Sequence, residues 1–324
     1  MGRVHRRAVV LALVVAAAPA VLGACSTSDS TPSATPSGRL PTTIPASPSI
    51  PASPSISASP SVGGGAGAPA TTSPLSPSTA PGRAFEVGTR TFAFRRGADR
   101  PLPTTVWIPQ GDGPFPLILF SHGLGGKPAD YRALLTAWAR AGFVVAAPAY
   151  PHTSASAAEF TVLDVLNQPA DASSVVTQTT AKLGRLVDQN RIAAAGHSAG
   201  GITTLGLFSG GRDERLRAGV VLSGRQIIAQ PFTGAEAPLF FVHGRKDATV
   251  PYADGKAVFD AVDWPKALLS VTDGGHVATG RALDVIATTT TDFWRWSLYG
   301  DETARERLKK DATNGGLATL TDRL

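Results

Sequence analysis

From residue 84 onward, short apolar runs alternate with longer stretches in which apolar residues recur at helical spacing. Two alternating runs come first. Thr89 to Arg96 puts Phe92 and Phe94 on one face, and Thr104 to Ile108 carries Val106 and Ile108 before the breaker Pro109. They predict an antiparallel hairpin at a sheet edge. The runs then become continuous: Pro116 to Phe120, Phe143 to Ala147, Arg191 to Ala195, Ala218 to Leu222, Leu239 to Val242 and Ala267 to Val271. Such runs fit strands covered on both faces. Between them Tyr131, Leu134, Leu135 and Trp138 fall on one helical face that Gly142 ends, and further helices are expected over Ser173 to Val187, Ala253 to Val262, Leu283 to Leu298 and Asp301 to Lys310. Strand–helix alternation predicts an α/β fold with a doubly wound, mostly parallel sheet. The connection from Ser223 to Pro238 is too short for a large lid domain.

The pattern fails before residue 84. Arg3, Arg6 and Arg7 precede the apolar stretch Ala8 to Val21, which is short for a membrane span and reads as part of a signal peptide over residues 1–24. It ends in Leu22-Gly23-Ala24-Cys25, which resembles a bacterial lipobox. Cys25 is the chain's single cysteine, so an intrachain disulfide is excluded. The resemblance implies lipidation of Cys25 and export to the outer face of the cell membrane, each buried acyl CH₂ contributing about 0.8 kcal/mol to anchoring. The alternative is an ordinary signal peptide with an incidental cysteine. Residues 25–83 then read as a lipidated N-terminus and tether. The near repeat Ile44-Pro45-Ala46-Ser47-Pro48-Ser49 and Ile50-Pro51-Ala52-Ser53-Pro54-Ser55 shows the low complexity. A segment of Pro, Ser and Thr cannot bury enough apolar surface to offset its ordering entropy. Residues 84–324 form the folded domain.

The net charge of +6 suggests an acidic partner at first sight, but three of those charges are the leader arginines, which halves the excess in the mature chain. With no long basic run, no nucleic-acid partner is implied.

Candidate chemistry centres on Gly196-His197-Ser198-Ala199-Gly200-Gly201. This is G-x-S-x-G with an apolar strand before it and small, helix-opening residues after it, which sets it apart from a chance match in a Gly- and Ala-rich chain. The serine needs a base. Of six histidines, His5 leaves with the leader, and His197 adjoins the serine on a sharp turn that points its side chain elsewhere. His122 and His243 each precede a glycine at a strand end, and His152 comes too early in the chain. His276, in Asp273-Gly274-Gly275-His276 after the last parallel strand, sits on the rim where ligands bind and is the expected base. The acid is expected from the end of the preceding strand: Asp247, with Asp254 and Asp273 as rivals. Two backbone donors complete an oxyanion hole: the N–H of Ala199, and that of Leu124 in the glycine-rich loop Ser121-His122-Gly123-Leu124-Gly125-Gly126. The loop's glycines equally suit a plain tight turn. His152 and Phe160, in the segment Tyr150 to Asp171, are substrate-pocket candidates.

Ser121-His122-Gly123, the serine motif, Gly244-x-x-Asp247-x-x-Val250-Pro251 and Gly275-His276 together resemble the α/β-hydrolase superfamily over roughly residues 90–298. They are similar to dienelactone hydrolase-like, platelet-activating-factor acetylhydrolase-like and polyester-hydrolase or cutinase-like bacterial enzymes. Two departures stand out: the nucleophile is serine where dienelactone hydrolases proper use cysteine, and Ala199 stands where polyester hydrolases often carry methionine. The resemblance implies a serine carboxylic-ester hydrolase with an ester substrate, no metal and no organic cofactor, and a membrane partner through the anchor on Cys25. Competing readings are hydrolysis or transfer at another acyl bond, such as a thioester or amide, and an envelope binding protein on the same fold. The sequence leaves oligomeric state open.

Overall fold

A computed structural model describes residues 79–324; the leader, Cys25 and the tether up to residue 78 lie outside the described residues. The domain's contacts begin slightly before residue 84, where Arg295 donates to the carbonyl of Pro81.

Among the described residues, nine strands form one sheet in the order β1-β2-β4-β3-β5-β6-β7-β8-β9. The edge hairpin is β1 (Val87–Arg96) and β2 (Arg100–Pro109), paired antiparallel from Val87–Pro109 to Arg96–Arg100. The parallel core consists of β3 (Phe115–Ser121), β4 (Val144–Pro148), β5 (Val187–His197), β6 (Leu216–Leu222), β7 (Leu239–Gly244) and β8 (Lys266–Val271). A last strand, β9 (Ala318–Arg323), returns antiparallel along β8.

The strands bury both faces because helices cover both. On one face α1 (Arg132–Arg140), α5 (Gly280–Trp294) and α6 (Glu302–Ala312) pack Trp138, Trp294 and Leu308 against Ile118, Ala193 and Ala195. On the other α2 (Gln168–Leu183), α3 (Ala199–Gly206) and α4 (Tyr252–Ala261) pack Val175, Leu205 and Phe259 against Leu117, Ile192 and Ala194. Adjacent residues of β5 thus serve opposite cores, the period-2 geometry of a strand. Small alanines at the centre of β5 let both helix layers approach. The architecture is an α/β-hydrolase fold.

Two elements differ from the expectation. The terminal strand β9 was not anticipated; apart from Ala318 its residues are partly or fully exposed, so it carries no apolar run. Helix α2 starts at Gln168 and ends at Leu183, because Pro169 suits a first turn, Gly184 stops the helix, and Val187 already opens β5. The short connection from Ser223 to Pro238 agrees with the expectation and contains no helix.

Candidate active site

Every chemistry-bearing group lies in a loop leaving the C-terminal end of a parallel strand. Strand β5 stops at His197, and Ser198 takes φ 57°, ψ −117° before α3 begins. Only close packing permits this turn. A Cβ on Gly196 would stand 2.1 Å from the carbonyl oxygen of Gly200, and one on Gly200 would stand 1.9 Å from that of Ser121. Glycine at both positions lets β5, α3 and the loop after β3 touch backbone to backbone. Ser198 itself donates its N–H to Leu222 of the neighbouring strand at 2.9 Å.

The loop after β7 supplies Asp247, fully buried at its carboxylate. Its Oδ1 accepts the N–H groups of Thr249 and Val250, both at 2.9 Å. Its Oδ2 lies 2.8 Å from Nδ1 of His276 and 3.4 Å from Nε2 of His243. Burial alone would raise this carboxyl, but the bonds from His276, Val250 and Thr249 hold it below the ordinary carboxylate range. An ionised Asp247 fixes His276 with the proton on Nδ1, leaving Nε2 to act as an acceptor. Gly244 makes the approach possible, since a Cβ there would stand 2.3 Å from the carbonyl oxygens of Gly274 and Gly275.

The rival carboxylates are engaged elsewhere. Asp273 pairs with Lys246 at 2.6 Å on an exposed surface, and Asp254 pairs with Arg225 at 2.9 Å. Among the described residues no hydrogen bond joins Ser198 Oγ to His276, whose ring bonds to Asp247. Free enzymes commonly hold this contact loose. Nor do the described residues group three His, Cys, Asp or Glu side chains as metal ligands.

The glycine-rich loop after β3 reaches the serine. A Cβ on Gly123 would stand 3.3 Å from Ser198 Cβ. The loop is tied to the segment after β4, Gly125 N–H donating to Thr153 at 2.8 Å and Ala155 N–H to Gly126 at 2.9 Å. Leu124, between these ties, is exposed, and neither its N–H nor that of Ala199 meets a protein acceptor among the described residues. His152 and Phe160 lie on the same segment after β4. His152 Nδ1 sits 3.4 Å from the Glu159 carbonyl, and Phe160 is exposed. Arg100 clamps this segment from β2, reaching Asp164 at 2.7 Å and Asp171 at 2.5 Å.

Two participants were missed in the sequence. His197 does point away from the serine, as expected, but into a hydrogen-bond chain. Gly123 N–H donates to the Tyr131 hydroxyl at 3.0 Å, and that hydroxyl donates to His197 Nδ1 at 2.9 Å. His197 Nε2–H donates to the His276 carbonyl at 2.8 Å. Burial holds His197 neutral, its pKa lowered to about 4, which fits one donor and one acceptor nitrogen. Tyr131 reads in the sequence only as a helix-face aromatic, and the polar residue inside the G-x-S-x-G motif was the one available signal.

A family model described as Chlorophyllase matches residues 84–223. The chain is also similar to the protein named "Putative esterase YitV" of Bacillus subtilis (strain 168), at 26% identity, over 45% of this chain and 74% of that protein. Neither match names one of the three groups to which the sequence motifs are similar. The comparisons support an esterase-type hydrolase. The matched family region contains Ser198 and the loop after β3 but ends before Asp247 and His276.

Proposed function

We propose that the chain is a serine carboxylic-ester hydrolase. The observation that carries this reading is the 2.8 Å contact of His276 Nδ1 with a buried Asp247, on the rim that also presents Ser198 in a strained turn at a helix N-terminus. Ser198 Oγ attacks the ester carbonyl as its proton passes to His276 Nε2. The carbonyl oxygen becomes an oxyanion bound by the N–H groups of Leu124 and Ala199. The C–O bond to the alcohol breaks as His276 returns that proton to the leaving oxygen. Water then repeats the sequence on the acyl-enzyme and restores Ser198. Asp247 keeps the His276 tautomer and stabilises its cation.

The test is hydrolysis of p-nitrophenyl acetate with fluorophosphonate labelling. Wild type is expected to cleave the ester and take one label, and Ser198→Ala to do neither, with loss of about six orders of magnitude in kcat. An unlabelled, inactive wild type would instead favour a binding protein on this fold. From the lipobox-like Leu22-Gly23-Ala24-Cys25 we further propose that the chain is held at the cell envelope by an acylated Cys25. The expected outcome of Cys25→Ala is loss from the membrane fraction with unchanged specific activity.

A further inference from the structure

A cavity of about 260 Å³ opens beside the proposed base rather than beside the nucleophile. Its apolar lining includes Leu134 of α1, Ile286 of α5, and Leu222, Val242 and Val271 from the C-terminal parts of β6, β7 and β8. His197 and the stretch Gly274 to Ala278, which includes His276, form one wall. Ser198, Leu124, Ala199, His152 and Phe160 do not line it. Two of its lining residues, Ala133 and Val277, are exposed, so the cavity opens to solvent on their side.

We infer that this cavity is a site for the apolar arm on the alcohol side of the ester, an aromatic ring or short branched chain. This rests on the esterase reading above. In ester cleavage the base returns its proton to the leaving oxygen, so the alcohol's substituent lies nearest the base. A hollow walled by His276, Val277 and Ala278 is placed for that substituent and not for the acyl group.

The lining sets the chemistry. The imidazole of His197 and the hydroxyl of Tyr131 are already bonded to one another at 2.9 Å, and His197 Nε2 is bonded to the His276 carbonyl. These groups therefore offer the cavity ring faces and edges rather than free donors. Asp130, also in the lining, repels an anionic arm. An apolar cavity of roughly 150 Å³ suffices for benzene, so this larger one takes a ring with several further carbons. Ser223, on the cavity wall, has φ 47°; with Ser198 it is one of two non-glycine residues of positive φ among the described residues. Such strain concentrates at ligand sites.

The experiment separates binding from catalysis. Benzyl alcohol is titrated against the full-length Ser198→Ala chain by saturation-transfer NMR and thermal shift. It is expected to bind, and Ala278→Trp, added to that chain, to weaken binding at least tenfold. In the active chain Ala278→Trp is expected to lower the kcat/KM ratio of benzyl acetate to ethyl acetate at least tenfold. The ratio of ethyl hexanoate to ethyl acetate, which varies the acyl side, should hold within twofold. Leu283 also lines the cavity, so Leu283→Ala enlarges it and should raise the ratio of 2-naphthylmethyl acetate to benzyl acetate, which guards against misfolding of the tryptophan variant. Undiminished benzyl alcohol binding in Ala278→Trp, or a shift in acyl preference instead of alcohol preference, overturns the assignment. Binding that Ala278→Trp blocks, in a wild type that cleaves no ester, upholds the apolar site and overturns the esterase reading on which its role rests.

Discussion

His197 Nε2 lies 2.8 Å from the carbonyl oxygen of His276, so the residue before the proposed nucleophile holds the backbone of the proposed base. Through Tyr131 the same imidazole is joined to Gly123, in the loop that carries Leu124. One neutral side chain thus ties together the three loops that must keep a fixed spacing during acyl transfer. His197→Leu removes both bonds at similar bulk. A misplacement of about 1 Å in such a site costs on the order of a hundredfold, and that loss is expected in kcat with KM little changed. His197→Gln, which can still donate to the His276 carbonyl, should recover part of it. Steady-state kinetics on p-nitrophenyl acetate check this; a loss confined to stability, with kcat intact, would reduce His197 to packing.

The same histidine governs part of the pH dependence of stability. Burial holds it near pKa 4, against an ordinary value near 6.5. Between those values the unfolded chain binds a proton that the native chain refuses. Stability therefore falls as pH drops through that window and is insensitive to this group above it. A shift of this size is worth about 3 kcal/mol. Buried His122 is lowered too and acts in the same direction, whereas Asp292, pushed up by burial to about 6, acts in the opposite one. Urea denaturation of wild type and His197→Leu from pH 7.5 to 4 isolates the contribution of His197. The wild-type advantage should shrink toward pH 4, and a constant difference would contradict a neutral buried His197.

For the acid, Asp247→Asn is expected to lower kcat by about four orders of magnitude, because the amide favours the wrong tautomer of His276. Asp273→Asn removes only an exposed pair with Lys246 and should change kcat less than about threefold, as surface pairs contribute little. The reverse ranking would transfer the role to Asp273.

What the sequence disclosed and what it hid follow one physical divide. Buried parallel strands are apolar on both faces, so β3 and β4 are plain as runs, and the loops that end them can be placed on one rim. Ser198, Asp247 and His276 were each assigned from such a loop. Elements that bury little carry no such signal. Strand β9 is exposed along most of its length, and the first turn of α2 buries a polar Gln168, bonded to Thr153 and Thr203. The bond chain through Tyr131 and His197 spans residues 66 positions apart, and the cavity is a gap between α1, α5 and the sheet. Neither has a local pattern; both exist only once the layers are packed.

Gly200 offers a test of the packed turn itself. A Cβ there would meet the backbone carbonyl of Ser121 at 1.9 Å, and backbone cannot rotate aside as a side chain can. Gly200→Ala is expected to cost on the order of 4 kcal/mol, in the range reserved for severe strain. Recovery of soluble protein and the urea midpoint measure it. A variant within about 1 kcal/mol of wild type would show that β5, α3 and the loop after β3 can separate at little expense.

Access to the site yields the last prediction. A lipase-like cover has to move, and the two segments able to form one are the β6–β7 connection and the segment after β4. The first contains no helix among residues 223–238. The second is fastened: Arg100 holds Asp164 and Asp171, and Gln168 bonds the Thr153 hydroxyl at 2.5 Å. Leu163 and Leu166 on that segment are exposed rather than folded down over Ser198. Paired, buried charges of this kind cost several kcal/mol to pull apart, so the segment is a fixed rim and not a mobile lid. The expected behaviour is hydrolysis of short-chain p-nitrophenyl esters that saturates smoothly with concentration and shows no jump where droplets form. Rates measured across the solubility limit check this. A sharp rise at the limit would mean that the segment opens at an interface; Arg100→Ala, which releases the clamp, should then raise the rate below the limit.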